Sequence, residues 1–339
     1  MDSKRVKIIV EGNIPYFKGM FDNVADVSYL QPEDITAGSV RDADAIVTRT
    51  RTRCDSALLH ESRCSLIASA TIGLDHVDVD WCGKNGIEVK NAPGCNAPAV
   101  AQYVFASLIA LAGDLKGKTL GVVGVGHVGG IIADWGRQLG MNVLICDPPR
   151  ADAEGSDGFV TMNQIASESD FITFHTPLVR DGRYPTYHLL DKELVGSFAK
   201  SPVVINSARG SVTDTQALLY GLDSGKISEV VIDCWENEPD IDRRLLDLAA
   251  IATPHIAGYS RQGKIRASQM AARAVSAHFG LPLDNLVPLK YLPEKVEASD
   301  IKKSYNPLID TEALKAAPET FECLRNNYAL REEVLFNEP

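Results

Sequence analysis

The sequence has no uninterrupted apolar run long enough to cross a bilayer. Charge, Gly or Pro breaks each run well before the roughly 18 residues that a transmembrane helix needs. A signal-peptide pattern is also missing: Met1-Asp2-Ser3-Lys4-Arg5 leads directly into the strand-like Val6-Lys7-Ile8-Ile9-Val10. Cysteine is odd in number, at seven, and no two cysteines stand at C-x-x-C spacing. Neither a disulfide framework nor a zinc site is therefore expected, and no metal is assigned. Positive charge is in deficit. The 34 Lys and Arg against 45 Asp and Glu give a formal net charge of −11, which disfavours nucleic acid and anionic membrane as partners. These absences point to a cytoplasmic protein with reduced thiols, in which any anionic ligand is drawn in by locally placed Arg and Lys. Internal repeats and low-complexity tracts are absent as well.

What is present is ordinary globular composition, 45% hydrophobic and 23% charged over 339 residues, enough for two or three domains. In the first third, short apolar segments at 6–10, 27–29, 45–47, 66–69 and 87–89 alternate with helical stretches, the pattern of a parallel sheet covered on both faces. Asn91-Ala92-Pro93-Gly94 breaks it. A long apolar helix over 97–111 follows, suited to crossing between domains. A second alternating series has strands at 120–123, 142–146, 171–174, 203–206, 230–232 and 251–252. A helix over about 260–278 is expected to return to the first domain. The expected fold is α/β, with two doubly wound parallel-sheet domains. One is a discontinuous, flavodoxin-like domain (1–93 and 259–280); the other is a Rossmann-type domain (94–258). The stretch 281–339 is punctuated by Pro282, Pro288, Pro293 and Pro307. It reads either as a third small region packing on a partner subunit or as a surface tail.

Gly121-Val122-Val123-Gly124-Val125-Gly126-His127-Val128-Gly129 places G-x-G-x-x-G at Gly124, Gly126 and Gly129, after a buried-strand run and before a helix. Such glycines let the backbone turn tightly and approach a pyrophosphate seated on the helix N-terminus. Asp147 ends the next strand 18 residues beyond Gly129, where an acid accepts hydrogen bonds from ribose hydroxyls and repels a 2′-phosphate, favouring NAD over NADP. A turn-capping role before Pro148-Pro149 is the alternative for Asp147.

Three later segments each follow a strand of this second series: Asn206-Ser207-Ala208-Arg209-Gly210, Asp233-Cys234-Trp235-Glu236-Asn237-Glu238-Pro239, and Thr253-Pro254-His255-Ile256-Ala257-Gly258. In open α/β sheets, ligands collect beyond the carboxyl ends of strands. Oxidising an alcohol with NAD needs a base for the hydroxyl proton, and His is suited to it. A carboxylate on the second ring nitrogen fixes the tautomer and stabilises the imidazolium. His255 and Glu238 fit as that pair, with Arg209 as a fork for a substrate carboxylate. Taken singly, each also reads as a loop, solvated or capping residue. Thr48-Arg49-Thr50-Arg51 supplies hydroxyl and cationic donors at a strand end, and Arg49 is the candidate phosphate ligand, with a solvated charge as the alternative.

With these residues in place, the sequence from about 6 to 278 resembles the D-isomer-specific 2-hydroxyacid dehydrogenase family. In that family Arg, Glu and His occur in this order, which implies catalytic roles for Arg209, Glu238 and His255. Cys146-Asp147-Pro148-Pro149-Arg150, Asp181-Gly182-Arg183-Tyr184 and His255-Ile256-Ala257-Gly258-Tyr259-Ser260 sharpen the likeness, together with Asn91-Ala92-Pro93-Gly94-Cys95-Asn96-Ala97. They are similar to a member that oxidises a small phosphorylated four-carbon 2-hydroxy acid. The resemblance implies substrate contacts at Thr50, Thr71 and Tyr259. It implies NAD contacts at His127, Val128, Asp147, Thr176, Ala208, Asp233 and Gly258, beside the three motif glycines. It also implies a homodimer assembled through 281–339. Thr50 stands where the family pattern has Ser, and Gln102 where Glu is common. Two other functions compete: a family enzyme acting on 3-phosphoglycerate, and a non-enzymatic NAD-sensing interaction protein.

Overall fold

A computed structural model describes residues 5–289 and 293–334; the first four residues, and 290–292 and 335–339 of the expected C-terminal region, lie outside the described residues. The chain forms two compact units, Met1–Asn96 with Arg261–Lys290, and Ala97–Ser260 with Tyr291–Pro339.

The first unit holds a five-stranded parallel sheet of β1 (Lys7–Glu11), β2 (Asp26–Leu30), β3 (Ala45–Thr48), β4 (Leu66–Ser69) and β5 (Glu88–Lys90), in the order β2-β1-β3-β4-β5. This is the flavodoxin-like order. The central strands are apolar at successive positions because both faces are covered. Ile8, Val10, Val47 and Ala68 pack against Ala267, Ala271, Ala272 and Val275 of the helix Arg261–Phe279. Ile9, Ile46 and Ile67 face the opposite way, onto Val40, Leu58, Leu59 and Cys82 of three short helices. The edge strands, DVSYL and EVK, are only partly buried, and there the sequence-based limits miss by one or two residues.

The second unit holds six parallel strands: β6 (Thr119–Val123), β7 (Asn142–Cys146), β8 (Phe171–Phe174), β9 (Val203–Asn206), β10 (Glu229–Ile232) and β11 (Ile251–Ala252). Their order is β11-β10-β9-β8-β6-β7, so the chain reverses its direction of travel across the sheet between β7 and β8. That reversal makes the crevice beyond β6 and β8 the topological switch point. Past β7, among the described residues, the sheet continues as a single backbone bond, from Val160 N to Ile145 O at 2.8 Å. Asp191, Asp214 and Asp242 each accept a backbone N–H at the start of a helix and so fix where those helices begin.

The helix Ala97–Ala112 is buried along its length from Ala97 to Ile109. Part of its cover comes from the C-terminal stretch. Val296, Ile301 and Val334 join the core on that side of the sheet, whereas Leu314 and Phe321 join the core on the other. The stretch 281–339, expected as one region, is thus divided. The described residues up to 289 continue the first unit and those from 293 are built into the second, because their apolar side chains complete its cores. No helix among the described residues is long and apolar enough to cross a membrane.

Candidate active site

At the switch point two of the three motif glycines after β6 have separate steric reasons. Gly124 has φ +86°, and a Cβ there would lie 2.8 Å from the His175 carbonyl carbon and 2.9 Å from Thr176 Cγ2. A Cβ on Gly129 would fall 2.0 Å from Gly124 O, so the helix His127–Gln138 crosses the loop at backbone contact. Gly126, by contrast, faces open space and begins that helix without a side-chain cap. An anion can therefore reach the unpaired N–H groups at His127 and Val128. The hydroxyls of Thr176 and Ser207, just beyond β8 and β9, are buried without a hydrogen-bond partner. Uncapped donors and orphaned hydroxyls at one crevice suit a dinucleotide phosphate and its neighbouring polar groups.

Asp147 is held in two ways. Its Oδ2 accepts from Val125 N at 2.7 Å, inside the glycine loop, and its Oδ1 accepts from Arg150 N, capping the helix Pro148–Glu154. The capping alternative therefore holds, and the same carboxylate lies against the loop. Arg150 is committed to Glu154 and to Val125 O, so its charge is already met.

The loops after β9, β10 and β11 are tied together from beneath. Asn206 is fully buried; its amide donates to Arg209 O and Thr213 Oγ1, and its Oδ1 accepts from Ala208 N. This shapes the turn that carries Ala208 and Arg209. A Cβ on Gly210 would lie 1.8 Å from Trp235 O, so only glycine lets this turn meet the loop after β10. Asp233, 1% exposed, accepts from Thr253 Oγ1 (2.7 Å), Ile256 N (2.8 Å) and Ala257 N (3.0 Å). Tyr103 completes the chain through Thr253 Oγ1 at 2.8 Å. Burial raises the Asp233 pKa above the usual carboxylate value, against the His255 charge and these donors. Both carboxylate oxygens are thus used in fixing the His255 turn, while the same turn carries Gly258 and Tyr259.

His255 has φ +56° and puts Nδ1 2.8 Å from Glu238 Oε2 and 3.1 Å from Oε1. Glu238 is oriented in turn by Trp235 N, 2.8 Å from Oε1. Burial alone would lower the His255 pKa, but Cys234 and Glu238 outweigh it and hold it well above 6.5. Of these two, the Glu238 carboxylate is the dominant cause, since burial pushes the Cys234 thiol up and keeps it neutral. Burial would likewise raise Glu238, yet the bonds and charge of His255 bring it below its ordinary value. With Nδ1–H directed to Glu238, Nε2 is the ring atom left to exchange a proton. Arg209, partly buried, donates from Nη1 to Ala208 O at 2.8 Å, in the loop after β9.

Several contributors lie outside the set expected from sequence. Asn206 and Tyr103 shape the loops from below, and a polar residue ending an apolar run was the one visible signal for Asn206. Arg325 comes from the C-terminal helix Phe321–Asn326, with its Nη1 3.9 Å from Glu238 Oε2. The substrate-side candidates of the first unit stand at the ends of adjacent strands, Arg49 and Thr50 after β3 and Thr71 after β4, and Thr71 Oγ1 donates to Arg49 O at 3.2 Å. Glu11, missed from sequence, underlies them. Its Oε2 accepts from Thr48 Oγ1, Thr52 Oγ1 and Arg49 N.

Residues 102–257 match the family model described as D-isomer specific 2-hydroxyacid dehydrogenase, NAD binding domain, which sets the class. The fold agrees. A D-lactate dehydrogenase from Aquifex aeolicus, solved with NAD and lactic acid, is 24% identical, covers 83% of this chain and 99% of its own, and superposes with a TM-score of 0.67. An NAD-dependent formate dehydrogenase from Staphylococcus aureus, 20% identical, gives 0.60 over 81% of this chain and 96% of its own. The particular family follows from full-length relatives. Erythronate-4-phosphate dehydrogenase of Bacteroides thetaiotaomicron is 44% identical over 97% of both chains. That of Porphyromonas gingivalis is 41% identical over 95% of this chain and 92% of its own. This chain belongs to the erythronate-4-phosphate dehydrogenase family, within the NAD-binding D-2-hydroxyacid dehydrogenases.

Proposed function

We propose that this protein oxidises 4-phospho-D-erythronate to 2-oxo-3-hydroxy-4-phosphobutanoate with NAD, as a step of pyridoxal 5′-phosphate biosynthesis. The observation that carries the reading is the His255–Glu238 pair, 2.8 Å apart at the carboxyl ends of the nucleotide sheet, in a chain 44% identical to enzymes of that name. NAD, when bound, supplies the hydride acceptor. His255 Nε2 takes the hydroxyl proton, and Glu238 stabilises the imidazolium so formed. Arg209 forks onto the substrate carboxylate. Gly124, Gly126, His127, Val128 and Gly129 would hold the pyrophosphate and Asp147 the adenosine ribose, with Thr176, Ala208, Asp233 and Gly258 as the remaining NAD-binding residues. Arg49, Thr50 and Thr71 serve the phosphate end of the substrate, with Tyr259 as a further contact.

The same reading takes the protein as a cytoplasmic homodimer. Six of its cysteines are buried free thiols, which a reducing compartment preserves. Leu308 and Ile309, 40% and 64% exposed, offer apolar surface to a second copy. Light scattering of the purified protein reads the oligomeric state directly.

The deciding assay follows NADH formation from 4-phospho-D-erythronate, with 3-phosphoglycerate and unphosphorylated erythronate in parallel; a separate run adds a 2-oxo acid to reoxidise retained NADH and reads the 2-hydroxy acid formed from it. Strong preference for the first substrate supports the reading. Preference for 3-phosphoglycerate keeps the chemistry and overturns the substrate. NAD binding without turnover on any of them moves the function to an NAD sensor or to a different hydroxy acid.

A further inference from the structure

Arg325 reaches the catalytic pair from the far end of the chain. Phe321, 1% exposed, and Leu324 seat its helix in a core of the second unit, so the guanidinium is delivered by packing. Its Nη1 lies 3.9 Å from Glu238 Oε2, the oxygen that also faces His255 Nδ1 at 2.8 Å. The Arg325 side chain hydrogen-bonds that of Tyr259 too, and Tyr328 packs edge-on against the Tyr259 ring, 6.2 Å between centroids. Glu322, one turn earlier on the same helix and 3.4 Å away, balances the guanidinium from the outer side.

We propose that Arg325 is a positioning residue of the oxidation: it draws on the Glu238 carboxylate against which His255 is held, and it steadies Tyr259. A lone carboxylate on a buried imidazole stabilises the charged ring so strongly that the ring is a proton carrier rather than a free base at neutral pH. A second cation on the same carboxylate weakens that hold. The base then works at a lower pH than the pair alone would allow. Other charged and titratable groups face the pair from the neighbouring elements. Asp233 and Cys234 stand at the end of β10, with Tyr103 behind Asp233 through Thr253. Arg331 holds the Ile256 and Tyr259 carbonyls. Among these, Arg325 is the cation that meets Glu238 itself.

The proposal rests on His255 being the base, so its test is separable from turnover. In full-length, ligand-free protein with isotope-labelled histidine rings, the His255 resonance is assigned by its loss in His255→Asn and then titrated by NMR. In Arg325→Met the His255 midpoint rises by about 0.5–2 pH units, the order that a unit charge one carboxylate removed from the ring gives between watery and protein-like screening. Arg325→Lys returns most of the shift. The limb of the kcat/KM profile for oxidation moves in the same direction. A midpoint that is unchanged or lower in Arg325→Met overturns the proposal. A wild-type enzyme that titrates as described and fails to oxidise the hydroxy acid overturns the proposed function alone.

Discussion

Arg331 donates from Nε to Oε1 of Gln102 at 3.1 Å, joining the C-terminal stretch to the buried helix Ala97–Ala112. Gln102 uses its amide nitrogen on Ser304 Oγ and Glu332 O, both at 2.9 Å. A glutamate at 102 would have no donor for either oxygen, which accounts for glutamine here. Arg331 spends its remaining donors on the carbonyls of Ala99, Ile256, Ala257 and Tyr259, with its guanidinium 4.5 Å from the Tyr305 ring centroid. The turn that carries His255 is therefore held from below by Asp233 and from the C-terminal side by Arg331.

Arg331→Met consequently strands several buried carbonyls. The expected cost is on the order of 3 kcal/mol of stability, together with loss of oxidation, since the residues after His255 lose their anchor. Urea unfolding monitored by tryptophan fluorescence measures the first. A change below about 0.5 kcal/mol would place this residue with ordinary surface side chains and remove its anchoring role.

The raised pKa of His255 fixes the sign of the pH dependence. Oxidation needs the neutral ring, so kcat/KM for the hydroxy acid rises with pH through a range above 6.5, while reduction of the 2-oxo acid falls over the same range. Glu238→Gln removes the stabilising charge, and the limb moves to lower pH. For stability the raised value works the other way. The His255–Glu238 contribution is fully present below the unfolded pKa of His and is lost as pH rises through the folded value. A limb that stays in place in Glu238→Gln would show that the two groups do not titrate together.

Two glycine substitutions separate folding from cofactor binding. Gly129→Ala drives a methyl into Gly124 O and is expected to lower the melting temperature with or without NAD. Gly126→Ala has open space and an ordinary φ of −77°, so the melting temperature of the ligand-free protein stays near wild type. NAD affinity falls, because the methyl occupies the path of the pyrophosphate. Calorimetric titration with NAD reads the difference. Equal affinity in Gly126→Ala and wild type would move the phosphate away from this helix.

Asp147→Ala is expected to narrow the preference for NAD over NADP and to lose about 1 kcal/mol of stability from the helix cap. Arg150 remains paired with Glu154, so the gain in NADP use is modest. An unchanged ratio of kcat/KM for the two cofactors would leave Asp147 with its capping role alone.

The legibility of this fold follows from burial. Strands such as 66–69, 171–174 and 203–206 are covered on both faces, so their apolar runs end where the strands end. The glycine loop and the His255–Glu238 pair were readable because each depends on residues close in sequence or on a fixed strand-end position. Asn206 and Asp233 were harder, since a polar residue at a strand end signals a buried anchor and a ligand contact equally. Arg325 and Arg331 were illegible for a different reason. Arg331 meets carbonyls 72 to 75 residues away, and no local period in a tail rich in Pro and charge encodes such partners.

Glu11 offers the last prediction, in the first unit. Its carboxylate is fully buried, and Oε2 gathers Thr48 Oγ1 and Thr52 Oγ1, each at 2.9 Å, with Arg49 N at 3.2 Å. It thereby sets the shape of the segment that presents Arg49 and Thr50. Glu11→Met keeps the approximate size but removes the acceptor that these donors share. The expected result is a rise in KM for 4-phospho-D-erythronate of about tenfold, equivalent to roughly 1.4 kcal/mol of lost binding. kcat/KM for unphosphorylated erythronate is expected to change little, because no phosphate is there to lose. If both substrates weaken equally, Glu11 supports the unit as a whole; if neither weakens, the segment it organises does not bind the phosphate.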